Sequence, residues 1–293
     1  MRLTVTLIAA GPDHRFPRLA AEICDALAIS AKPVWLADEE ACELPVDAPD
    51  PEAIASTVRG TIGKAPVDML VQPAEGRRKR LLLADLEATM IENEMLDELA
   101  LILGIGSEMI EITRRAMNGE IDFAEALAAR TALLAGASTR VLSEAAARIR
   151  LTPGADALVG TMRRAGVRTV LVTGGFAIFA DRIAAKLGFD HVVANRLEIA
   201  GATLTGKVLP PIIGGAAKRE TLLGFADKLG ISIDKTLAVG DGANDIAMLR
   251  TAGLGIAFRP KPAVAAAIRW RLDHADLTGL LYAQGYRKAE FAA

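Results

Sequence analysis

The sequence predicts an α/β protein with a parallel sheet, interrupted by a helical insertion and preceded by a smaller α+β unit. From residue 81 onward, short apolar runs alternate with segments of helical spacing, which is typical of parallel strands joined by helices. Residues 92–150 show helical spacing without a convincing strand, whereas residues 1–73 mix strands and helices. We therefore expect an N-terminal unit at 1–73, a linker at 74–80, a core formed by 81–91 and 151–293, and an inserted helical unit at 92–150.

In the N-terminal unit, apolar and polar residues alternate at 3–7 and 67–71, which indicates half-buried strands. A third short strand is expected at 34–36, and helices are expected at 17–28 and 51–62. The following linker contains four consecutive basic residues, Arg77, Arg78, Lys79 and Arg80. We expect this charge run to be solvated.

Three strands of the predicted core end in polar or glycine-rich clusters. A continuous apolar run at 81–84 predicts a strand buried on both faces, and it stops at Asp85. The strands at 169–172 and 236–239 stop at Thr173-Gly174-Gly175 and Gly240-Asp241-Gly242. Right-handed crossovers between such strands form a Rossmann-like parallel sheet. Because ligands bind at the carboxyl edge of these sheets, we expect the three clusters to form one site.

The composition excludes several classes of partner. Thirty-four basic and 36 acidic residues give a formal net charge of −2, so no global positive field attracts nucleic acid or an anionic membrane. Only 4% of the residues are aromatic, which argues against a base-stacking platform. Cys24 and Cys42 form no CxxC pair, and we expect buried free thiols. Without a signal-peptide core or an uninterrupted membrane-spanning run, a cytoplasmic protein is expected.

The most specific motif is Gly240-Asp241-Gly242-Ala243-Asn244-Asp245, directly after a predicted buried strand. The glycines permit a tight turn, and Asp241 and Asp245 can converge on one hard cation. An ordinary acidic turn is the structural alternative.

Three further elements could act on a phosphate group. In Asp85-Leu86-Glu87-Ala88-Thr89, the first carboxylate could be a nucleophile and the second a general acid, although acids at strand ends also cap helices. Thr173 and the amides after it could hold phosphoryl oxygens, or form a common turn. Lys218 opens a helix and could offset crowded carboxylates, or could simply be solvated.

Taken together and in this order, the four elements resemble the haloacid dehalogenase (HAD) superfamily of phosphohydrolases, and within it the phosphoserine phosphatase branch. The resemblance runs from about residue 81 to 258, with the helical insertion in the position of the small cap of that branch. Glu94 and the stretch 116–134 resemble its substrate-recognition segment. The N-terminal unit resembles the ferredoxin-like, amino-acid-sensing (ACT-like) domain of some bacterial members.

The resemblance implies a Mg²⁺-dependent hydrolysis of O-phosphoserine to serine and phosphate, the last step of serine synthesis. Asp85 would form an aspartyl-phosphate, and Glu87 would be the general acid. The Mg²⁺ ligands would be Asp85, the backbone carbonyl of Glu87 and Asp241, with Asp245 orienting the water shell of the metal or Lys218.

The remaining implied roles concern substrate binding. The phosphoryl group would be held by Thr173, the Gly174 amide, Lys218 and Asn244. Glu94 would pair with the substrate ammonium group and Arg130 with its carboxylate, because a zwitterionic amino acid needs one anion and one guanidinium. Met117 and Phe123 would be apolar contacts from the cap.

Two residues depart from the branch. Glu87 stands where the D-x-D-x-T motif has a second Asp, and Thr173 stands where Ser is usual. The longer general acid leaves three hypotheses open: a phosphoserine phosphatase, a phosphatase for another small phosphomonoester, and a regulatory protein that binds its ligand with weak turnover. The sequence does not fix the oligomeric state, and a homodimer is among the assemblies it allows.

Overall fold

The computed structural model describes residues 2–48, 50–117 and 120–292, apart from the side chain of Met117, and contains two β-sheets. The strands are β1 Arg2–Ala9, β2 Val34–Ala37, β3 Ala41–Asp47, β4 Val67–Pro73, β5 Leu81–Ala84, β6 Arg168–Phe176, β7 His191–Ala200, β8 Thr203–Leu209, β9 Thr236–Gly240, β10 Leu254–Phe258 and β11 Trp270–Leu272. The helices are α1 Phe16–Ala26, α2 Pro51–Ile62, α3 Met95–Leu103, α4 Gly106–Met117, α5 Phe123–Ala132, α6 Arg140–Ala147, α7 Ala155–Arg164, α8 Ala177–Leu187, α9 Gly215–Lys228, α10 Ile246–Thr251, α11 Pro262–Ala267 and α12 Gly279–Tyr282.

The larger sheet has seven strands in the order β11-β10-β9-β5-β6-β7-β8. All neighbouring strands are parallel except β8, which pairs antiparallel with β7. Every residue of β5 and of β9 is buried, as the continuous apolar runs predict. The predicted α/β, Rossmann-like architecture is therefore confirmed.

The order of the central strands brings the predicted clusters together. β5 lies between β9 and β6, so Asp85, Asp241 and Thr173 meet at one edge of the sheet. One detail of the prediction is wrong: β6 continues to Phe176, so Thr173-Gly174-Gly175 lies within the strand and not in a turn after it. The pairing with β7 shifts between Val172 and Phe176, and this irregularity interrupts the regular ladder at the glycines.

Among the described residues of the stretch between β5 and α7, the structure has four helices, α3 to α6. Helix α5 begins with a capping box, in which Asp122 accepts a hydrogen bond from the Glu125 amide and Glu125 accepts one from the Asp122 amide. Apolar residues of this stretch, such as Leu99 and Leu127, belong to the same buried cluster as the core sheet. The helical segment, called the cap below, is thus held against the sheet.

The N-terminal sheet has the antiparallel order β2-β3-β1-β4. Strand β3 was not predicted, since Glu43 and Pro45 interrupt its apolar pattern. With β3, the element order becomes β-α-β-β-α-β, which is a ferredoxin-like arrangement. An amino-acid-sensing role for this unit stays a prediction.

The basic run before β5 is only partly solvated: Arg78 and Arg80 are exposed, as expected, whereas Arg77 and Lys79 are held in contacts with the chain. Lys79 is buried, and its Nζ donates to the Asp234 carbonyl at 2.7 Å. Arg77 forms an ion pair with Glu43, and both side chains are mostly buried. Arg77 therefore links the 74–80 segment to β3 of the N-terminal sheet, and Lys79 links it to the segment before β9.

Two simpler expectations concern thiols and membranes. Cys24 and Cys42 are both buried and free. Among the residues that the structure describes, no helix combines the length and the apolar character that crossing a membrane requires.

Candidate active site

A cavity of about 280 Å³ lies between the carboxyl edge of the larger sheet and the cap. Its lining combines charged, polar and apolar residues. They come from the ends of β5 and β9, from β6, from the start of α3, from α4 and α5, and from the segment before α11. The lining residues are Asp85, Glu87, Glu94, Leu96, Asp97, Thr113, Phe123, Arg130, Thr173, Gly174, Gly175, Asp241, Gly242, Ala243, Asn244 and Lys261.

Lys218 lies between two carboxylates next to this cavity. It belongs to the first turn of α9 and is fully buried, with Nζ 2.7 Å from Asp85 Oδ1 and 2.7 Å from Asp245 Oδ1. Burial disfavours its charged form, but the carboxylates of Asp245 and Asp85 outweigh that effect and raise the pKa of Lys218. The ammonium group is therefore the fixed cation of the site.

The position of Asp245 requires a glycine in β9. A Cβ on Gly240 would come within 2.4 Å of the Asp245 carboxyl carbon, so any larger residue would displace this side chain. Asp245 Oδ2 accepts a hydrogen bond from the Gly242 amide, and Oδ1 accepts one from Lys218. Both oxygens are thus held by the chain itself.

The acidic residues fit a divalent cation. One carboxylate oxygen from each of Asp85, Asp241 and Asp245 lies within 4.8 Å of the others, and all three residues are buried. Asp85 Oδ1 touches Lys218 without the alignment of a hydrogen bond, and it has no hydrogen-bond partner among the described residues. Burial, followed by the charge of Asp245, raises the pKa of Asp85 well above its usual range. A cation at this oxygen would favour its ionised form, and oxygen donors suit a hard metal such as Mg²⁺.

Glu87 follows Asp85 in an irregular turn, Leu86–Met90, in which Ala88 has a positive φ of 51°. Its Oε1 accepts a hydrogen bond from the Met95 amide, the first residue of α3, at 2.9 Å. Burial raises the pKa of Glu87 to about 7, with a further contribution from Glu94. Near neutral pH this carboxyl can hold a proton and release it, as a general acid must.

The longer side chain of Glu87 is accommodated by Gly175. A Cβ at this position would lie 2.6 Å from Glu87 Oε2, a distance that real Cβ atoms essentially never show. The missing side chain of Gly175 thus provides the room for the carboxylate of Glu87.

Thr173 and the adjacent glycine are held at the cavity by backbone contacts. Thr173 is buried and its hydroxyl accepts a hydrogen bond from the Gly175 amide at 2.8 Å. The buried Asn195 of β7 donates to the carbonyls of Gly174 and Ile213 and accepts from the Ile213 amide. Asn195 therefore holds the irregular part of β6, at Gly174, next to Ile213 in the loop that precedes α9 and Lys218.

The cap supplies two residues of opposite charge and an aromatic ring. Glu94 and Arg130 both line the cavity, and Nε of Arg130 is buried without a hydrogen-bond partner in the part of the chain that the structure describes. The ring of Phe123 lies against the backbone of the core, since a Cβ on Gly174 or Gly214 would meet it at 2.9 or 3.0 Å. Phe123 thus closes the cap side of the cavity.

Most of the predicted site residues converge on one place. Lys218 and Asp245 lie behind the cavity wall, where Lys218 contacts both Asp85 and Asp245. The other predicted site residues line the cavity, apart from Met117. The Met117 side chain lies outside the described residues, so its predicted apolar contact stays a prediction. The predicted metal contact through the Glu87 carbonyl also stays a prediction.

Sequence reasoning missed two residues that touch Asp241. The Thr89 hydroxyl donates to Asp241 Oδ1 at 3.3 Å, and Lys261 Nζ lies 3.2 Å from Asp241 Oδ2. Thr89 ends the D-x-E-x-T motif and could have been found from it. Lys261 lies in Arg259-Pro260-Lys261-Pro262 after β10, a fourth strand end at the same edge of the sheet. Its position beyond that strand end is the signal that could have revealed it.

Comparison with known proteins supports the family resemblance described from the sequence. Residues 82–250 match the family model of haloacid dehalogenase-like hydrolases. The phosphoserine phosphatase SerB2 of Mycobacterium tuberculosis is 41% identical over 217 residues, which are 74% of this chain and 53% of that protein. The chain thus spans about half the length of that relative.

Two solved structures are similar as well. A HAD family hydrolase from Salmonella enterica serovar Typhi has a TM-score of 0.88 at 26% identity, with 98% of each chain covered. A structure described as a phospho-aspartyl intermediate analogue of phosphoserine phosphatase has a TM-score of 0.66 at 37% identity, covering 70% of this chain and 98% of that one. With the site residues in place and the family model matching more than half of the chain, the protein belongs to the haloacid dehalogenase-like hydrolases, as the resemblance implies.

Proposed function

We propose that this chain hydrolyses O-phosphoserine to serine and inorganic phosphate in a Mg²⁺-dependent reaction with an aspartyl-phosphate intermediate. The observation that carries the proposal is the joint lining of one small cavity by Asp85 and by the cap pair Glu94 and Arg130. A nucleophile, an anion and a guanidinium together match a phosphorylated amino acid. The names of the two phosphoserine phosphatases described above support the same substrate.

The first half-reaction begins with Asp85. One of its carboxylate oxygens attacks phosphorus, and the bond from phosphorus to the seryl oxygen breaks. Glu87 donates its proton to that oxygen, so serine leaves as a neutral alcohol. Lys218 stays within 2.7 Å of Asp85 and offsets the negative charge around the phosphoryl group.

The second half-reaction reverses the role of Glu87. Its carboxylate accepts a proton from a water molecule, and the water oxygen attacks phosphorus of the aspartyl-phosphate. The bond between phosphorus and the Asp85 oxygen breaks, which regenerates the carboxylate and releases phosphate. Thr173, the Gly174 amide and Asn244 would hold the phosphoryl oxygens during both steps, since all three residues line the cavity.

Asp85 and Asp241 would hold the Mg²⁺. Asp245 accepts hydrogen bonds from Lys218 and from the Gly242 amide, so it would fix the position of Lys218. The bound cation would supply charge neutralisation for the phosphoryl oxygens. Thr89 orients Asp241 for this role through its hydroxyl.

Substrate recognition is assigned to the cap. The buried Nε of Arg130 has no hydrogen-bond partner within residues 2–48, 50–117 and 120–292, which leaves a donor for a carboxylate. Glu94 would accept the substrate ammonium group. Phe123 covers the phosphate end of the cavity and excludes bulk water, which strengthens the electrostatic interactions inside.

Three broader expectations belong to the proposal. The chain would work in the cytoplasm, its 1–73 unit would be an accessory domain separate from the core and the 92–150 cap, and a homodimer is one of the assemblies open to it.

Phosphate release from a panel of phosphomonoesters, measured with Mg²⁺ and with a chelator, tests the function. We expect O-phosphoserine to have the highest kcat/KM, with activity lost in chelator and restored by Mg²⁺. Faster turnover of another ester would favour the second phosphatase hypothesis. Saturable binding of O-phosphoserine without phosphate release would favour the ligand-binding hypothesis.

A further inference from the structure

Lys261 connects the cap to the core at the edge of the cavity. Its Nζ lies 2.9 Å from Glu94 Oε1 and 3.2 Å from Asp241 Oδ2. Its backbone amide also donates to the Asp241 carbonyl at 3.1 Å. Lys261 precedes α11 in the core, whereas Glu94 precedes α3 in the cap, so one ammonium group contacts both sides of the site.

The two carboxylates that share Lys261 differ in their surroundings. Asp241 is buried, and its Oδ2 lies against the ammonium group of Lys261. The side chain of Glu94 is 42% exposed. Asp241 therefore depends more on a nearby cation than Glu94 does, because solvent screens the exposed carboxylate.

A divalent cation at Asp241 would change this balance. Lys261 and the metal would be two positive charges on one carboxylate, and their repulsion opposes simultaneous contact. Glu94 would then be the remaining partner of Lys261 in the site. Lys261 has a side chain that is half exposed, so it can leave Asp241 without crossing packed core.

We propose that Lys261 is a positioning residue: it neutralises Asp241 while the metal site is empty, and it leaves Asp241 and keeps its contact with Glu94 when a divalent cation binds. Metal binding and the placement of Glu94 in the cap are thereby linked. The consequence of this role for catalysis rests on the proposed function. The competition between Lys261 and the metal does not, and it can be measured without substrate.

The test measures equilibrium binding of Mn²⁺ to the full chain by the electron paramagnetic resonance signal of free Mn²⁺, followed by displacement with Mg²⁺. The variants are Lys261→Met, Lys261→Arg and, as a matched control, Lys228→Met at an exposed lysine of α9. Because one competing charge is removed, we expect Lys261→Met to bind Mn²⁺ about tenfold more tightly. Lys261→Arg keeps the charge and should stay within about twofold of the wild type, as should Lys228→Met.

A second readout follows the cap. With O-phosphoserine, Lys261→Met should raise KM about fivefold and change kcat less, since Glu94 loses the contact that holds its Oε1 in place. Lys261→Arg, which can keep that contact, should restore KM. Wild-type or weaker Mn²⁺ affinity in Lys261→Met would overturn the proposal. If the proposed substrate is wrong, the KM values carry no information on Lys261. The Mn²⁺ affinities of the wild type and Lys261→Met still test whether Lys261 competes with the metal. Should Lys261→Met not fold by circular dichroism, Lys261→Gln removes the same charge and takes its place.

Discussion

Lys218 Nζ lies 2.7 Å from Asp85 Oδ1 and equally close to Asp245 Oδ1, and all three side chains are buried. A single ammonium group thus compensates two carboxylates, of which Asp245 is fully buried and Asp85 faces the cavity. Its removal would leave both charges buried without a partner, which typically costs about 3–5 kcal/mol.

We predict that Lys218→Met abolishes turnover and lowers the free energy of unfolding by about 3 kcal/mol at pH 8. Asp85 already has a raised pKa, and loss of Lys218 raises it further. Protonation of a carboxyl with a raised pKa stabilises the fold, so the loss relative to wild type should be smaller at pH 5 than at pH 8. Urea denaturation at the two pH values measures both quantities. A loss below about 1 kcal/mol at pH 8 would contradict the buried triad.

The contact between Glu87 and Gly175 predicts a compensating pair of substitutions. Gly175→Ala places a Cβ where Glu87 Oε2 lies at 2.6 Å, so it should displace the general acid and lower kcat at least about tenfold. Glu87→Asp combined with Gly175→Ala should recover part of that loss, because the shorter side chain vacates the space. Steady-state kinetics of the two single variants and the double variant tests this coupling. Strictly additive effects would show that the two residues act independently.

The pH dependence of kcat/KM should report Glu87, because kcat/KM reflects the ionisation of the free enzyme. Its pKa of about 7 means that the acid is protonated below this pH and ionised above it. We therefore expect kcat/KM for O-phosphoserine to fall by up to about tenfold per pH unit above neutrality. In Glu87→Gln the descending limb should be absent and the rate about 10² lower. If Glu87→Gln showed the same fall in rate above neutrality, that fall would be assigned to another ionisable group.

Arg130 should determine selectivity for a carboxylate. We predict that Arg130→Met raises KM for O-phosphoserine by about tenfold or more, because a charge-assisted hydrogen bond is lost. O-Phosphoethanolamine keeps the ammonium group but lacks the carboxylate, so its KM should hardly change. Arg114→Met, at an exposed arginine of the cap that pairs with Glu111, is the control. Equal losses with the two esters would assign Arg130 a structural role.

The sequence was most informative where chemistry lies at the ends of buried strands. Runs such as 81–84 are continuous and apolar, so both the strand and the following Asp85 could be located. Adjacent parallel strands then placed Asp85 and Asp241 together without any knowledge of loops. The continuation of β6 through Thr173 was missed because two glycines ordinarily indicate a turn.

Contacts that depend on tertiary placement could not be predicted. Strands β7 and β8 form the edge hairpin, and their mixed burial leaves no clear period-2 pattern. Lys261 acquires its role only because the cap brings Glu94 within 2.9 Å of it. Likewise, room for Glu87 comes from Gly175, which lies on a different strand some ninety residues away.

Covalent labelling of Asp85 tests the central claim most directly. The wild-type protein is mixed with Mg²⁺ and O-phosphoserine carrying a radiolabelled phosphate, quenched with acid within one turnover, digested and sequenced by mass spectrometry. We predict label on the peptide that contains Asp85, and neither label nor phosphate release in a folded Asp85→Asn variant. Turnover by the wild type without label on this peptide, or a near wild-type rate in Asp85→Asn, would contradict the account.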